Sequence, residues 1–152
     1  MRKHPESERE TVSEQQQPAV QFGIFSVSDI TQDPTTGDTP TEAERIRATL
    51  TIAKHAEEVG LDVFALGEHH NPPFWSSSPT TTLAYIAAQT ERLILSTATT
   101  LITTNDPVKI AEDFAMLQHL AGPERVDLML GRGNTPPVYS ASCSSSTTRA
   151  CR

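Results

Sequence analysis

The chain of 152 residues has the size of one domain, and its 36% hydrophobic and 20% charged residues are typical of a globular fold. Its formal net charge of −7 argues against nucleic acid or an anionic membrane as the main partner, because both require basic surfaces. No apolar run reaches the roughly 18 residues of a membrane span, and the N-terminus lacks the apolar stretch of a signal peptide, so we expect a cytoplasmic protein.

Strand-like and helical patterns alternate along the chain after a polar leader. Residues 1–19 have no hydrophobic period and are predicted to be disordered. Apolar runs of strand length lie at residues 20–27, 61–67, 93–102 and 126–130. Three helical patterns with short connections separate these runs. The order β-α-β-α-β-α-β predicts an α/β fold with parallel strands.

Each of the three helices has a recognisable start. Thr41 and Glu44 form a capping-box pattern, while Ser78-Pro79 and Asp106-Pro107 each combine a capping residue with proline in the first turn. Gly60 ends the first helix, and Gly122-Pro123 ends the third. The positions predicted to face the core are Ile46, Leu50, Ala53, Ala56 and Val59 in the first helix, Leu83, Ile86, Ala87 and Thr90 in the second, and Val108, Ile110, Ala111, Phe114, Ala115, Leu117 and Ala121 in the third.

The second strand ends in Glu68-His69-His70, at the edge where α/β folds gather their functional residues. Strand alternation places Phe64 and Leu66 under the helices and the small Ala65 and Gly67 toward the interior, which predicts an inward His69. An imidazole there can act as acid, base or hydrogen-bond donor. On the residues alone, a pair of loop histidines with solvent and helix-cap partners is an equal alternative. Adjacent histidines on a strand point apart, which argues against a shared metal ion.

Two further strand ends carry unusual residues. Ser96–Thr100 is a run of small and hydroxyl-bearing side chains that leaves room for a flat ring, although β-propensity alone also explains it. Gly131-Arg132-Gly133 lets the backbone approach a ligand while the guanidinium binds a phosphate or carboxylate. The same three residues also form ordinary turns, so this signal is weak.

Three segments, in order, resemble the luciferase-like monooxygenase family: GLDVFALGEHH, LILSTATTLITTNDPVKIAEDFAMLQHLAG and RVDLMLGRGNT. The resemblance covers residues 20–139 and implies part of a TIM (β/α)8 barrel. It implies reduced FMN as the cofactor, supplied by a flavin reductase and used with O2 to oxidise a small organic substrate. Some branches of the family use the deazaflavin F420 instead and transfer hydride without oxygen.

The resemblance also assigns roles to particular residues. It implies that His69 is catalytic and lies near the reactive face of the flavin ring. It places a non-proline cis peptide bond between Ala98 and Thr99, where it shapes a bulge against the ring. It also implies that Arg132 binds the flavin phosphate. The residues implied in cofactor binding are Glu68, Ala98, Thr99, Gly131 and Arg132.

The sequence departs from the family after Tyr139. Residues 140–152 contain no large apolar residue and are expected to be disordered. We interpret this segment as the result of a truncation or frameshift in the coding sequence. Cys143 and Cys151 fall in this tail and fit no metal-binding spacing. A closed barrel needs about 250 residues, so we expect a half-barrel that binds flavin weakly or not at all and tends to form homodimers or to aggregate. A half-barrel without catalytic activity is therefore an alternative to the enzyme.

Overall fold

The computed structural model describes residues 20–133. The predictions for residues 1–19 and 134–152, including the disorder expected for 1–19 and 140–152, lie outside this range. The described strands are β1 (Gly23–Ser26), β2 (Val63–Leu66), β3 (Ile94–Thr97), β4 (Thr100–Leu101), β5 (Val126–Asp127) and β6 (Leu130–Gly131). The described helices are α1 (Glu42–Glu58), α2 (Pro79–Ala87) and α3 (Pro107–Ala121).

The strands are parallel and follow the order of the chain. One sheet has the order β1-β2-β3-β5, and β4 pairs with β6 in a second, smaller sheet. A doubly wound fold reverses its strand order within the sheet, whereas the wall of a (β/α)8 barrel does not. The predicted parallel α/β fold, as part of a TIM barrel, is therefore confirmed.

Two of the predicted strands are each divided into two. Residues 93–102 form β3 and β4, and residues 126–130 contain β5 and run into β6. Three residues separate Ser96 from Thr100, but only two separate their partners Asp127 and Leu130. This extra residue is a β-bulge, which interrupts the pairing and bends the strand. The apolar and β-branched pattern continues through this point and does not indicate the break, but the resemblance implied a bulge at Ala98–Thr99.

The core lies between the helices and one face of the sheet. Phe64 and Leu66 of β2 are fully buried there, as predicted, and Leu93 and Leu95 lie beside them. Burying each such side chain contributes about 1.5–3 kcal/mol. On the opposite face, the strand register aligns Phe25, Ala65, Ser96 and Asp127 in one row. The sheet thus separates an apolar, helix-covered face from an inner face on which the small Ala65 and Ser96 lie side by side near the carboxyl ends of the strands.

The predicted cap is confirmed at two of the three helices. Thr41 and Glu44 form both bonds of the capping box, and Asp106 accepts from the backbone N–H groups at the start of α3. Ser78 also precedes its helix as predicted, but its hydroxyl lies 2.8 Å from Thr81 Oγ1 and makes no bond to a backbone amide. Its ψ of 77° differs from the extended value near 159° at Thr41.

The predicted buried positions are fully correct only for α2, where Leu83, Ile86, Ala87 and Thr90 are all buried. In α1, Ile46 and Val59 are exposed, and Thr49 is buried instead. The Thr49 hydroxyl donates to the carbonyl of Arg45 at 2.9 Å, so its burial leaves no unpaired group. In α3, Phe114, Leu117 and Ala121 are buried and Ile110 is partly buried, while Val108, Ala111 and Ala115 are exposed.

One carboxylate joins α1 to the start of β3. Glu57 accepts hydrogen bonds from the backbone N–H groups of Glu91, Arg92 and Leu93 at 2.6–3.1 Å. Burial raises the pKa of the Glu57 carboxyl, but these three N–H groups and the charge of Arg125 together outweigh burial and hold its pKa below the ordinary value. The ionised form therefore stabilises the fold, because the folded state holds this proton less tightly than the unfolded state.

We expect the free energy of unfolding of Glu57→Gln to fall less on acidification than that of the wild type. The contribution of a carboxyl with a lowered pKa is present above its unfolded pKa and is lost as the pH falls through the folded value. Thermal unfolding measured from pH 7 to about pH 3 checks this. The exposed Glu112 is the control position, and a Glu112→Gln variant that flattens the curve equally would contradict the assignment.

Candidate functional site

The carboxyl ends of the strands meet at one edge of the sheet, where hydrogen bonding continues beyond the strands themselves. Gly67 N donates to Ser26 O at 2.9 Å, and Ala98 N donates to Leu66 O at 2.9 Å. On the next strand pair, Thr100 N donates to Met129 O at 2.8 Å. The residues that follow β1, β2 and β3 are therefore held side by side. We refer to this edge, formed by Gly67–His69, Ala98–Thr99 and Gly131–Arg132, as the mouth.

His69 lies over the backbone at Gly67. A Cβ atom at Gly67 would be 3.2 Å from His69 Nε2, 3.5 Å from Ser26 O and 3.6 Å from Ala98 O. A side chain at Gly67 would crowd the imidazole, so glycine allows His69 and these two carbonyl oxygens to lie close to the strand end. The imidazole is half-buried and stacks on Phe74, with 4.0 Å between ring centroids and 19° between ring planes. Its direction agrees with the inward position that strand alternation predicts.

The electrostatic surroundings favour a neutral imidazole at His69. Burial lowers the pKa of His69, the nearby His70 lowers it further, and Glu68 opposes both effects. A neutral imidazole has one nitrogen that donates and one that accepts a hydrogen bond. At neutral pH, His69 can therefore offer either function to a group in the mouth.

We expect Phe74→Ala to raise the pKa of His69. Burial is the largest cause of the lowered pKa, and Phe74 covers one face of the imidazole. Removing the Phe74 ring admits water to the imidazole, which stabilises its protonated form and raises the pKa of His69 toward the ordinary value. An NMR titration of the His69 side chain checks this, with Phe22→Ala as the control because Phe22 is an exposed phenylalanine. An unchanged or lower pKa in Phe74→Ala would refute the explanation.

The Ala98–Thr99 segment lies next to Gly67 on one side and Gly131 on the other. Its peptide bond is cis, as the resemblance implied. A Cβ atom at Gly131 would lie 2.7 Å from Thr99 Cβ and 2.9 Å from Thr99 Cγ2. These distances are shorter than side chains tolerate, so only glycine permits this approach. Three of the predicted site residues thus form one continuous surface with His69.

Arg132 lies at the rim of the mouth. It follows β6 directly, is exposed, and its carbonyl accepts from Thr103 Oγ1 at 2.9 Å. Pairing of Leu101 with Gly131 in the β4–β6 ladder fixes the backbone just before it. The structure therefore places Arg132 beside Gly131 and Thr99, but beyond the surface that includes His69.

Glu68 points away from that surface. Its carboxylate is buried and accepts from Leu101 N at 3.0 Å and from Asn105 Nδ2 at 2.7 Å. His70 Nε2 lies 2.8 Å from the same carboxylate. Sequence reasoning missed both Asn105 and Phe74 as partners of the site. Asn105 precedes the cap of α3 and Phe74 lies in a Pro- and Ser-rich loop, so both resemble ordinary loop residues.

The described part of the chain, residues 20–133, offers few other kinds of site. Within that range, no three His, Cys, Asp or Glu side chains form a cluster that could hold a metal ion. The helices described there include none that is long and apolar enough to cross a membrane.

Comparison with known proteins gives one consistent result. The family model for luciferase-like monooxygenases matches residues 20–144. An N-acetyl-S-alkylcysteine monooxygenase of Bacillus subtilis is 35% identical over 63% of this chain and 29% of its own length. A luciferase-like monooxygenase of Escherichia coli is 37% identical over 71% of this chain and 31% of its own length. The chain therefore spans about 30% of the length of these relatives.

Solved structures share the fold. Monooxygenase RslO1 from Streptomyces bottropensis superposes with a TM-score of 0.68 and 28% identity, over 83% of this chain and 37% of that one. The oxygenating constituent of a Pseudomonas putida Baeyer-Villiger monooxygenase, solved in complex with FMN, has a TM-score of 0.69 at 20% identity, over 81% of this chain and 32% of that one. At this level of identity the second similarity shows the fold alone.

Proposed function

Because the chain belongs to the luciferase-like monooxygenase family, we propose that it forms the His69 side of a flavin site in an enzyme that uses reduced FMN and O2 to oxidise a small organic substrate. The observation that carries this proposal is the continuous surface of His69, Gly67 and Ala98–Thr99 at the mouth. The FMN complex of the Pseudomonas putida protein supports the choice of cofactor.

The mouth suits a planar ring. Hydrogen-bonding groups meet at Gly67, where His69 Nε2 and the carbonyl oxygens of Ser26 and Ala98 lie close to a residue without a side chain. The inner face below it carries the small Ala65 and Ser96. A flat heteroaromatic system can lie against such a surface while its polar edge is bound.

Each residue then has a defined task. Bound reduced flavin supplies the electrons for the reaction with O2. His69, neutral at neutral pH, holds a proton on one ring nitrogen and accepts at the other, so it orients a polar group or exchanges a proton with it. The Ala98–Thr99 and Gly131 backbone lines the surface beside it, and Arg132 at the rim binds phosphate as a planar cation.

A deazaflavin-dependent oxidoreductase is the second candidate. Two F420-dependent enzymes share the fold, with TM-scores of 0.59 and 0.58, at 22% and 24% identity. The same surface accommodates either ring system, because both are flat and tricyclic. Dependence of turnover on O2 separates the two candidates, since hydride transfer to or from F420 does not consume oxygen.

Binding of the cofactor by the purified chain tests the proposal. We expect saturable binding of reduced FMN, followed anaerobically by fluorescence, and about tenfold weaker binding in both His69→Ala and Arg132→Ala, equivalent to one lost hydrogen bond to a charged or polar partner. His119→Ala, an exposed histidine at the end of α3, is the matched control. Absence of saturable binding of both FMN and F420 would favour a half-barrel without catalytic activity.

Two partners stay predictions. The first is a flavin reductase, a separate enzyme that would supply reduced FMN to this chain. A homodimer would cover β1 and β5, the outer strands of the described sheet, where Phe22 and Phe25 are exposed. Analytical ultracentrifugation tests the dimer, and a chain that is monomeric at all concentrations would refute it.

A further inference from the structure

We propose that Glu68 is a positioning residue, whose buried carboxylate holds β4 and thereby fixes the Ala98–Thr99 segment beside His69. This inference rests on the proposed function only in assuming that the mouth binds flavin. It differs from the role that the resemblance implies, because it places no contact between Glu68 and the cofactor.

The contacts of Glu68 join two distant parts of the chain. The residue directly follows the Gly67 backbone at the end of β2, and its side chain is 2% exposed. One oxygen accepts from the backbone N–H of Leu101, and the other accepts from Asn105 Nδ2, which also donates to Leu101 O at 2.9 Å. Glu68 and Asn105 therefore bind both the N–H and the carbonyl of Leu101. A backbone unit held at both groups has little freedom to shift.

The position of Leu101 transmits this constraint to the mouth. Leu101 lies two residues after Thr99, and it pairs with Gly131 in the β4–β6 ladder. Gly131 in turn contacts the Thr99 side chain. A displacement of Leu101 thus moves both the Ala98–Thr99 segment and the Gly131–Arg132 backbone. Because His69 is the next residue after Glu68, one side chain connects all three parts of the mouth.

A carboxylate suits this task for a physical reason. Both oxygens face donors, and a buried N–H without an acceptor is costly. Glutamine retains one acceptor for Leu101 N but turns an amide group toward the Asn105 donor. Leucine fills a similar volume and accepts no hydrogen bond. The series Glu, Gln, Leu therefore removes the constraint in steps.

Glu57 provides a matched control within the same molecule. It too is a carboxylate that accepts from backbone N–H groups, but these belong to residues 91–93 at the opposite end of β3. Replacing Glu57 should destabilise the fold without moving the mouth. A role of Glu68 in stability alone would make the two residues equivalent.

The experiment compares wild type, Glu68→Gln, Glu68→Leu, Glu57→Gln and Glu57→Leu of the full chain. Amide NMR spectra and hydrogen exchange report on Thr99, Leu101 and Gly131, and an FMN titration reports on binding. We expect Glu68→Leu to speed exchange at Leu101, shift the Thr99 and Gly131 amides, and weaken FMN binding by about tenfold or more. Glu68→Gln should give intermediate values. The Glu57 variants should change residues 91–93 only.

The outcomes separate the two proposals. Mouth amides that are unchanged in the Glu68 variants, or equally changed in the Glu57 variants, would overturn the positioning role. If wild type binds no FMN, the proposed function fails, but the amide data still decide the role of Glu68. If Glu68→Leu does not fold, Glu68→Gln carries the test, because it retains the size and one acceptor of the native side chain.

Discussion

Replacing Arg125 by leucine is expected to lower the free energy of unfolding by about 3 kcal/mol or more, a large part of the stability of a small domain. The half-buried guanidinium donates to the carbonyls of Thr90, Leu93 and Ala121 at 2.9–3.1 Å and to Thr90 Oγ1 at 2.7 Å. It therefore connects the chain after α2, the start of β3 and the end of α3. Leucine would leave these acceptors without a partner.

Urea unfolding of the wild type and variant measures this effect. Arg125→Lys retains the charge but not the planar set of donors, so it should recover only part of the loss. Arg47→Leu, at an exposed position of α1, is the control for removing an arginine charge. Equal unfolding midpoints for Arg125→Leu and Arg47→Leu would show that the hydrogen bonds contribute nothing.

Replacing Gly131 by alanine is expected to disrupt the mouth while the helix-covered core stays folded. The added methyl group would lie within 2.9 Å of both Thr99 Cβ and Thr99 Cγ2, so β6 or the Ala98–Thr99 segment must move. Overpacking of this kind costs about 1–3 kcal/mol. Because Gly131 pairs with Leu101, we expect loss of the β4–β6 pairing and of measurable FMN binding.

A second substitution tests the cause. Thr99→Gly removes the atoms that the new methyl group would meet, so the double variant Thr99→Gly/Gly131→Ala should recover the β4–β6 pairing. Amide NMR shifts of Leu101 and Gly133 and the FMN titration measure the recovery. A double variant as disturbed as Gly131→Ala alone would indicate that the methyl group acts through another contact.

Much of the fold was predictable because local patterns agree with the tertiary structure. The capping box at Thr41 and the cap at Asp106 depend on residues three apart or closer, and both are confirmed. The alternation along β2 correctly separates Phe64 and Leu66 from Ala65. The bulge between β3 and β4 was implied by the family resemblance but not by the hydrophobic pattern, since it depends on how two strands pair and not on either strand alone.

The site was predictable in position but not in its contacts. His69, Ala98, Thr99 and Gly131 follow strand ends, and parallel strands bring such residues to one edge. Their roles toward flavin stay predictions. The direction of the Glu68 carboxylate depends on Leu101 and Asn105, which lie more than 30 residues away in sequence. The stacking of Phe74 on His69 brings a loop residue that belongs to no recognisable motif against the predicted histidine.

The sequence by itself determined the alternating elements, the family and the strand ends that carry polar residues. These properties depend on hydrophobic period, caps and short motifs, all of which are local. Only the tertiary structure decided that Gly131 contacts Thr99, that Glu68 faces β4, and that Arg125 connects three elements. Each of these depends on distances between segments that are remote in sequence, and those distances are fixed only when the sheet and helices pack.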